Sequence, residues 1–256
     1  MRPPHTIPMR LKLVRLLASA ALMMACTATH ALDFTRPIAD GEMARLPDFC
    51  PHTMGNNKES EDPNKLGPGA DKWIAKMGGV RNFKSMHHYC RAVVREHRSR
   101  APGLSHSERE YVLGTAIDEY TYVITNTTRD FIMLPDIFVR MGDDLVLLKR
   151  HGQAAEAFLA AVRQKPDYWR AYSRWADYLV ATGQRGAAIA KLEEGLRALP
   201  DEPRLREQYK GLGGNVDKFL LTVPKPAAPA ASAASEMSAP GATVDAAAPA
   251  AAASAP

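Results

Sequence analysis

Cysteine is scarce in this chain: Cys26, Cys50 and Cys90 are the only ones in 256 residues. Three cannot build the dense disulfide framework of small secreted scaffolds. Aromatic residues are few, at 7%, so a core must lean on aliphatic side chains and alanine. Long apolar runs are missing too. Residues 16–25 form an apolar run of ten, short of the roughly 20 that span a bilayer. The Ala-rich end is longer, but prolines interrupt it. No Gly-x-Ser-x-Gly, phosphate loop, His-Glu-x-x-His or Cys-x-x-Cys occurs, so none of those nucleophilic, phosphoryl, zinc or redox chemistries is written here. Asp143-Asp144 and Glu193-Glu194 are adjacent carboxylates. Helix neighbours diverge by about 100°, so neither pair reads as an acid/base dyad. Both read as solvated helix faces. No catalytic residue and no cofactor is expected, and the chain reads as a non-enzyme.

What is present is ordinary in bulk and uneven in detail. Hydrophobic residues make up 46% and charged residues 24%, which are globular values. The formal net charge is +5, and its location matters more than its size. Residues 1–31 carry four of those charges, on Arg2, Arg10, Lys12 and Arg15, with no acid. A positive stretch, a short apolar run and then small residues are the layout of a secretory signal peptide. Cleavage after Ala31 is one reading. Met23-Met24-Ala25-Cys26 resembles a lipoprotein box and gives the other, with Cys26 lipidated. Either predicts export, to a bacterial periplasm or to a membrane surface facing it.

Without residues 1–31 the chain has 29 basic against 28 acidic residues, so a nucleic-acid reading loses its basis. Residues 72–100 hold 8 basic and 1 acidic, while 101–145 hold 3 and 8. A basic first helix next to acidic neighbours is therefore expected. At the other end, 221–256 is an Ala/Pro-rich segment with no aromatic residue. It cannot bury enough surface to offset ordering, and it reads as a disordered tail.

Sliding the chain by 34 residues lays 135–168 over 169–202, with nine identities where unrelated sequence gives roughly two. They are Arg140/Arg174, Asp143/Asp177, Leu145/Leu179, Val146/Val180, Gly152/Gly186, Ala154/Ala188, Arg163/Arg197, Pro166/Pro200 and Asp167/Asp201. Within a unit, Ile137, Phe138, Met141, Leu145 and Leu148 recur at helical spacing. Gly152 interrupts, Ala154, Phe158, Ala161 and Val162 begin a second stripe, and Pro166 ends it. Each unit is two helices.

The period and these positions resemble the tetratricopeptide repeat family. Gly142, Ala154, Phe158, Ala161 and Pro166 match its signature in one unit. Ala176, Ala188, Leu192, Gly195 and Pro200 match it in the next, with Gly195 where alanine is usual. The resemblance implies an all-α, antiparallel helix-pair solenoid with two clear repeats (135–168 and 169–202) and a capping helix over 203–214. Its Gly-Leu-Gly-Gly end (211–214) reads as a stop. Because such stacks need about three units, the amphipathic stretches 83–99 and 105–126 are expected to form a degenerate first pair. Ser105 with Glu108 supplies a capping box. The helical domain then spans 81–220.

Residues 32–80 form a loop-rich extension with a short helix near 70–77. Cys50 and Cys90 are the ordinary thiols of the exported chain, and an oxidising compartment favours their pairing. The alternative is a metal or redox-linked site using Cys50, His52, His87 and Cys90, although the spacing fits no standard zinc motif.

The resemblance also implies that partners dock on the first helix of each pair. Off the core stripe there stand Asp136, Val139, Arg140, Asp143, Arg170, Ser173, Arg174 and Asp177. The family's carboxylate-clamping Lys and Asn positions hold Val139, Asp143, Ser173 and Asp177 instead, so that mode is not implied. The repeated Arg-x-x-Asp predicts local pairs Arg140/Asp143 and Arg174/Asp177. The expected function is interaction or scaffolding in a bacterial cell-envelope assembly, with protein partners, no nucleic acid, and a membrane only through Cys26.

Overall fold

The structure is a computed structural model that describes residues 36–56, 62 and 64–223. Residues 1–31, expected to be a signal peptide and containing Cys26, and the expected tail beyond 223 lie outside the described residues. Among those described there is no strand, and no helix is long and apolar enough to cross a membrane.

Two short helices come first: α1 (Asp40–Met43) and α2 (Ala70–Lys76), with a 3-10 turn at Cys50–His52 between them. The long helices follow as α3 (Val80–Ser99), α4 (His106–Asn126), α5 (Leu134–Leu147), α6 (His151–Gln164), α7 (Trp169–Ala181) and α8 (Arg185–Ala198). The chain closes with α9 (Pro203–Gly211) and α10 (Val216–Thr222). The helices pack in adjacent pairs, α3 on α4, α5 on α6 and α7 on α8, as the 34-residue repeat and the amphipathic upstream stretches require.

Local chemistry explains the boundaries. Ser105 Oγ accepts from the Glu108 amide while Glu108 Oε2 accepts from the Ser105 amide, the reciprocal cap that starts α4. Pro135 and Pro203 lie in first turns, where a missing N–H costs nothing. The turns inside the two repeats are copies. Lys149, between α5 and α6, has φ 56°, and Gly183, at the same register, has φ 77°. After each, an amide reaches back five residues, Arg150 to the Leu145 carbonyl and Gln184 to that of Leu179. Glycine takes this left-handed backbone freely; lysine takes it at a cost of about 1–2 kcal/mol.

The signature residues pack as their sizes demand. Ala154, Phe158, Ala161, Ala176, Ala188 and Leu192 are fully buried. A Cβ on Gly142 would sit 2.6 Å from the Phe158 ring, so only glycine lets α5 and α6 approach this closely. Gly195 is explained by its neighbour: a Cβ there would come within 2.8 Å of Tyr172. The other unit has Ala161 and Phe138 at the matching positions.

The stack continues beyond the expected stop. α9 ends at Gly211, and Gly213, with φ 77°, turns the chain into α10. Val216 and Phe219 of α10 are buried, and the Phe219 ring lies 5.7 Å from that of Tyr209. The Gly-Leu-Gly-Gly segment is thus a turn and not a terminus. The helix after it runs to Thr222, two residues into what reads as tail.

At the other end, Cys50 and Cys90 are joined by a disulfide and are fully buried. Phe49 lies between Trp73 and Tyr89, with ring centroids 5.9 and 5.8 Å away. Arg98 grips both oxygens of Glu42 at 2.9 and 2.8 Å. These bonds hold the Glu42 carboxyl down to about 2, with burial opposing them. The extension is therefore pinned to α3 by one covalent bond, one aromatic cluster and one ion pair.

Candidate functional site

The first helices α3, α5, α7 and α9 carry a ladder of side chains on one face. Arg140 on α5 donates to Glu96 on α3 at 3.0 Å. Arg174 on α7 donates to both oxygens of Asp143 on α5, at 3.1 and 3.0 Å. Gln208 on α9 donates to Asp177 on α7 at 2.6 Å. Positions 140, 174 and 208 are 34 residues apart, so each unit reaches back to an acid of the unit before it. The expected pair Arg174/Asp177 forms at 3.2 Å. The expected pair Arg140/Asp143 does not. Arg140 is taken by Glu96 and by Asp136 at 2.8 Å, which leaves Asp143 for Arg174.

Asp136 is the hub at the first-unit end. It accepts from Arg140, from the Tyr89 hydroxyl at 3.1 Å and from the Tyr168 hydroxyl at 3.0 Å. Burial pushes its carboxyl up, but the Arg140 charge and these bonds hold it below the usual carboxylate range. Glu96 shows the opposite outcome. It is 4% exposed, and burial raises its carboxyl against the pull of Arg140 and a hydrogen bond from Tyr120.

Asp144 is the outlier. It is 2% exposed, and its Oδ2 has no hydrogen-bond partner among the described residues. Burial, with the charges of Glu96 and Asp143 beside it, pushes the carboxyl up to about 9. Asp144 therefore holds a proton at neutral pH. The solvated-face reading of Asp143-Asp144 fails at this residue: successive helix positions turn by about 100°, and the turn that leaves Asp143 on the groove carries Asp144 inward.

Two cavities open on this face. One of about 530 Å³ is bordered by Glu96, Arg100, Arg140, Asp144, Leu147 and Arg174. A second of about 370 Å³ is bordered by Tyr89, Ile132, Asp136, Lys165 and Tyr168. Arg140 and Arg170 border both, so the two adjoin along the first-helix face, with Arg140 between them.

Most residues expected to line a partner groove are here. Asp136, Arg140 and Asp143 are half-buried, while Arg170, Arg174 and Asp177 are exposed. Ser173 contributes its backbone carbonyl, which accepts from Gln208 at 3.1 Å. Val139 does not belong with them. It is 1% exposed and part of the apolar cluster that contains Phe158 and Leu145, because an aliphatic side chain gains by leaving water. Sequence reasoning missed Glu96, Asp144 and Gln208. Gln208 was findable by carrying the 34-residue register one step further. Glu96 was not, since the first pair lacks the signature spacing.

The residues of the metal alternative are not brought together as a ligand set. The Cys50 and Cys90 sulfurs are bonded to each other, so neither is a thiolate ligand. The His87 ring contacts the Lys84 carbonyl at 2.7 Å, and burial lowers its pKa to about 4. Among the described residues no group of three His, Cys, Asp or Glu side chains is placed to hold a metal.

No family model matches the chain, and no curated protein does. Among solved structures, the first TPR of Spaghetti (RPAP3), bound to the HSP90 peptide SRMEEVD, is similar at 19% identity and a TM-score of 0.34. The match covers 48% of this chain and 92% of that one. The architecture described above rests on the helices themselves.

Proposed function

We propose that this chain is an exported, non-enzymatic interaction factor of tetratricopeptide type, which docks a segment of a partner protein in the groove on its first helices. The observation that carries this reading is a bonded ladder whose outer members reach solvent. Hydrogen bonds between successive units hold it in place, and its Arg174 and Asp177, with Arg170 beside them, remain exposed. A fixed ladder with exposed arginines suits protein recognition, where arginine is over-represented among residues that dominate binding. The site of action we propose is a bacterial cell-envelope assembly, such as secretion, pilus, polysaccharide or wall machinery. That placement rests on the positive stretch and apolar run of residues 1–31. Lipidation at Cys26 would make the protein a membrane-held version of the same factor, and a diacylglyceryl mass on Cys26 distinguishes the two.

The test is co-purification from chemically crosslinked envelopes. Charge reversal by Arg170→Glu with Asp177→Lys is expected to reduce recovery of the partner at least about tenfold. Recovery unchanged by the reversal contradicts the groove reading.

A further inference from the structure

We propose that a basic strip on α3, turned away from the groove, seats the protein on an anionic lipid surface. Arg81, Lys84, His88, Arg91, Arg95 and Arg98 recur at intervals of three and four residues. At about 100° per residue they share one face about 100° wide, and the strip runs about 26 Å along the helix. Tyr89 and Glu96, which meet Asp136 and Arg140 on the groove side, lie about 140–160° around α3 from Arg91. None of the six borders either groove cavity.

The strip's charge is only partly answered. Glu119 on α4 binds His88 and Arg95, and Glu42 in the extension binds Arg98. Arg81 donates to the Asn126 carbonyl at 3.0 Å. No carboxylate pairs with Arg81, Lys84 or Arg91 among the described residues. Two bonded carboxylates therefore meet five Lys and Arg charges, and Arg81 and Lys84 are exposed. Mobile phosphate headgroups can gather along such a line without a pocket to hold them, and each basic side chain near an anionic surface adds to the attraction. Tyr122, 43% exposed, stacks on His88 with ring centroids 3.6 Å apart. A ring with an apolar body and a polar tip suits the headgroup level. The strip also ends where the N-terminal chain enters: Arg98 donates to the Arg36 and Pro37 carbonyls at 3.2 and 3.3 Å. Nine residues separate Cys26 from Arg36, a reach of up to about 30 Å. A lipid on Cys26 would bring this strip to the bilayer, where one acyl chain with a basic patch anchors better than the chain alone. The strip's own attraction to headgroups does not depend on that lipid.

The experiment is co-sedimentation of the full, oxidised chain with vesicles of phosphatidylcholine containing phosphatidylglycerol, and with phosphatidylcholine alone. Any pull from the apolar run 16–25 acts on both vesicles. Lys84→Glu with Arg91→Glu should weaken binding to the anionic vesicles at least about tenfold and leave binding to the neutral ones unchanged. Arg204→Glu with Lys210→Glu makes the same change of net charge on exposed α9 surface and should leave both unchanged. Lys84→Ala, at an exposed site, should cost about threefold and carries the test if the double variant fails to fold. Equal losses from the α3 and α9 pairs would mean that net charge alone acts, and would overturn the strip. Anionic binding indifferent to the α3 changes would overturn it as well. Capture on immobilised polyglutamate that the α3 changes abolish, with no preference for anionic vesicles, would assign the strip to an acidic protein and overturn the lipid surface.

Discussion

The two ends of the helical stack meet the same physical demand by different means. A terminal helix pair exposes an apolar face that has to be covered. At the C-terminal end the repeat register simply continues. α9 starts 34 residues after α7, and with α10 it buries Leu205, Tyr209, Val216 and Phe219. At the N-terminal end no repeat is available. A segment with only short helices is fastened to α3 by the Cys50–Cys90 bond, the Phe49 cluster and the Glu42–Arg98 pair. Continuation needs only that the next unit packs as the last one did. Fastening needs a covalent constraint, because a loop segment pays for its order with little apolar surface.

Replacing both cysteines, by Cys50→Ser with Cys90→Ser, should therefore have the largest effect and fall on one end only. The bond spans a sequence separation of 40, for which loop entropy gives roughly 3–4 kcal/mol. Chemical denaturation should show that loss, and hydrogen exchange should show α1 and α2 opening while α7 to α10 keep their protection. Equal loosening at both ends would erase the distinction.

The repeat end is broken by volume instead. Gly142→Ala places a Cβ 2.6 Å from Phe158 and should cost about 1–3 kcal/mol. Gly152→Ala meets nothing within 4 Å, and by helix propensity it should be neutral or gain up to about 1 kcal/mol. Urea midpoints of the two variants should move in opposite directions or leave only the first displaced.

Asp144 tests the seam between the ends, since Glu96 on α3 and Arg100 just after α3 act on it from one side and Asp143 and Arg140 from its own helix. The folded chain keeps the Asp144 proton to about pH 9, while the ordinary value is 3.8. The folded state thus binds the extra proton, and stability falls as pH rises through that window. Asp144→Asn removes this dependence. At pH 8 the variant should be more stable than the parent by at least about 1 kcal/mol, and at pH 4 the two should nearly coincide. The smallest effect sharpens the repeat comparison again. Lys149→Gly, which copies Gly183 of the next unit, should stabilise by about 1 kcal/mol; no gain would mean that Lys149 is not strained at φ 56°.

The fold was legible where the 34-residue period holds. Repeated small residues and prolines mark α5 to α9 because their packing partners lie at fixed distances along the chain. α10 was hidden because seven residues after a Gly-Gly turn are too few to show a helical stripe. The groove was legible in part. Arg140, Asp143, Arg174 and Asp177 announced themselves by repetition, but the repeat did not show that Arg140 turns to Glu96 and Asp136 and leaves Asp143 to Arg174. The inward turn of Asp144, the burial of Val139 and the contribution of Glu96 depend on which helix covers which, and a single sequence does not carry that information for a pair without the signature.

The central claim is that partners dock on the first-helix groove. A photo-crosslinking amino acid placed at position 170, on the groove, or at 111, on exposed α4 surface, tests this in intact cells. The account predicts one defined adduct from position 170 and none from 111. Adducts from 111 alone, or an identical pattern from both, would contradict it.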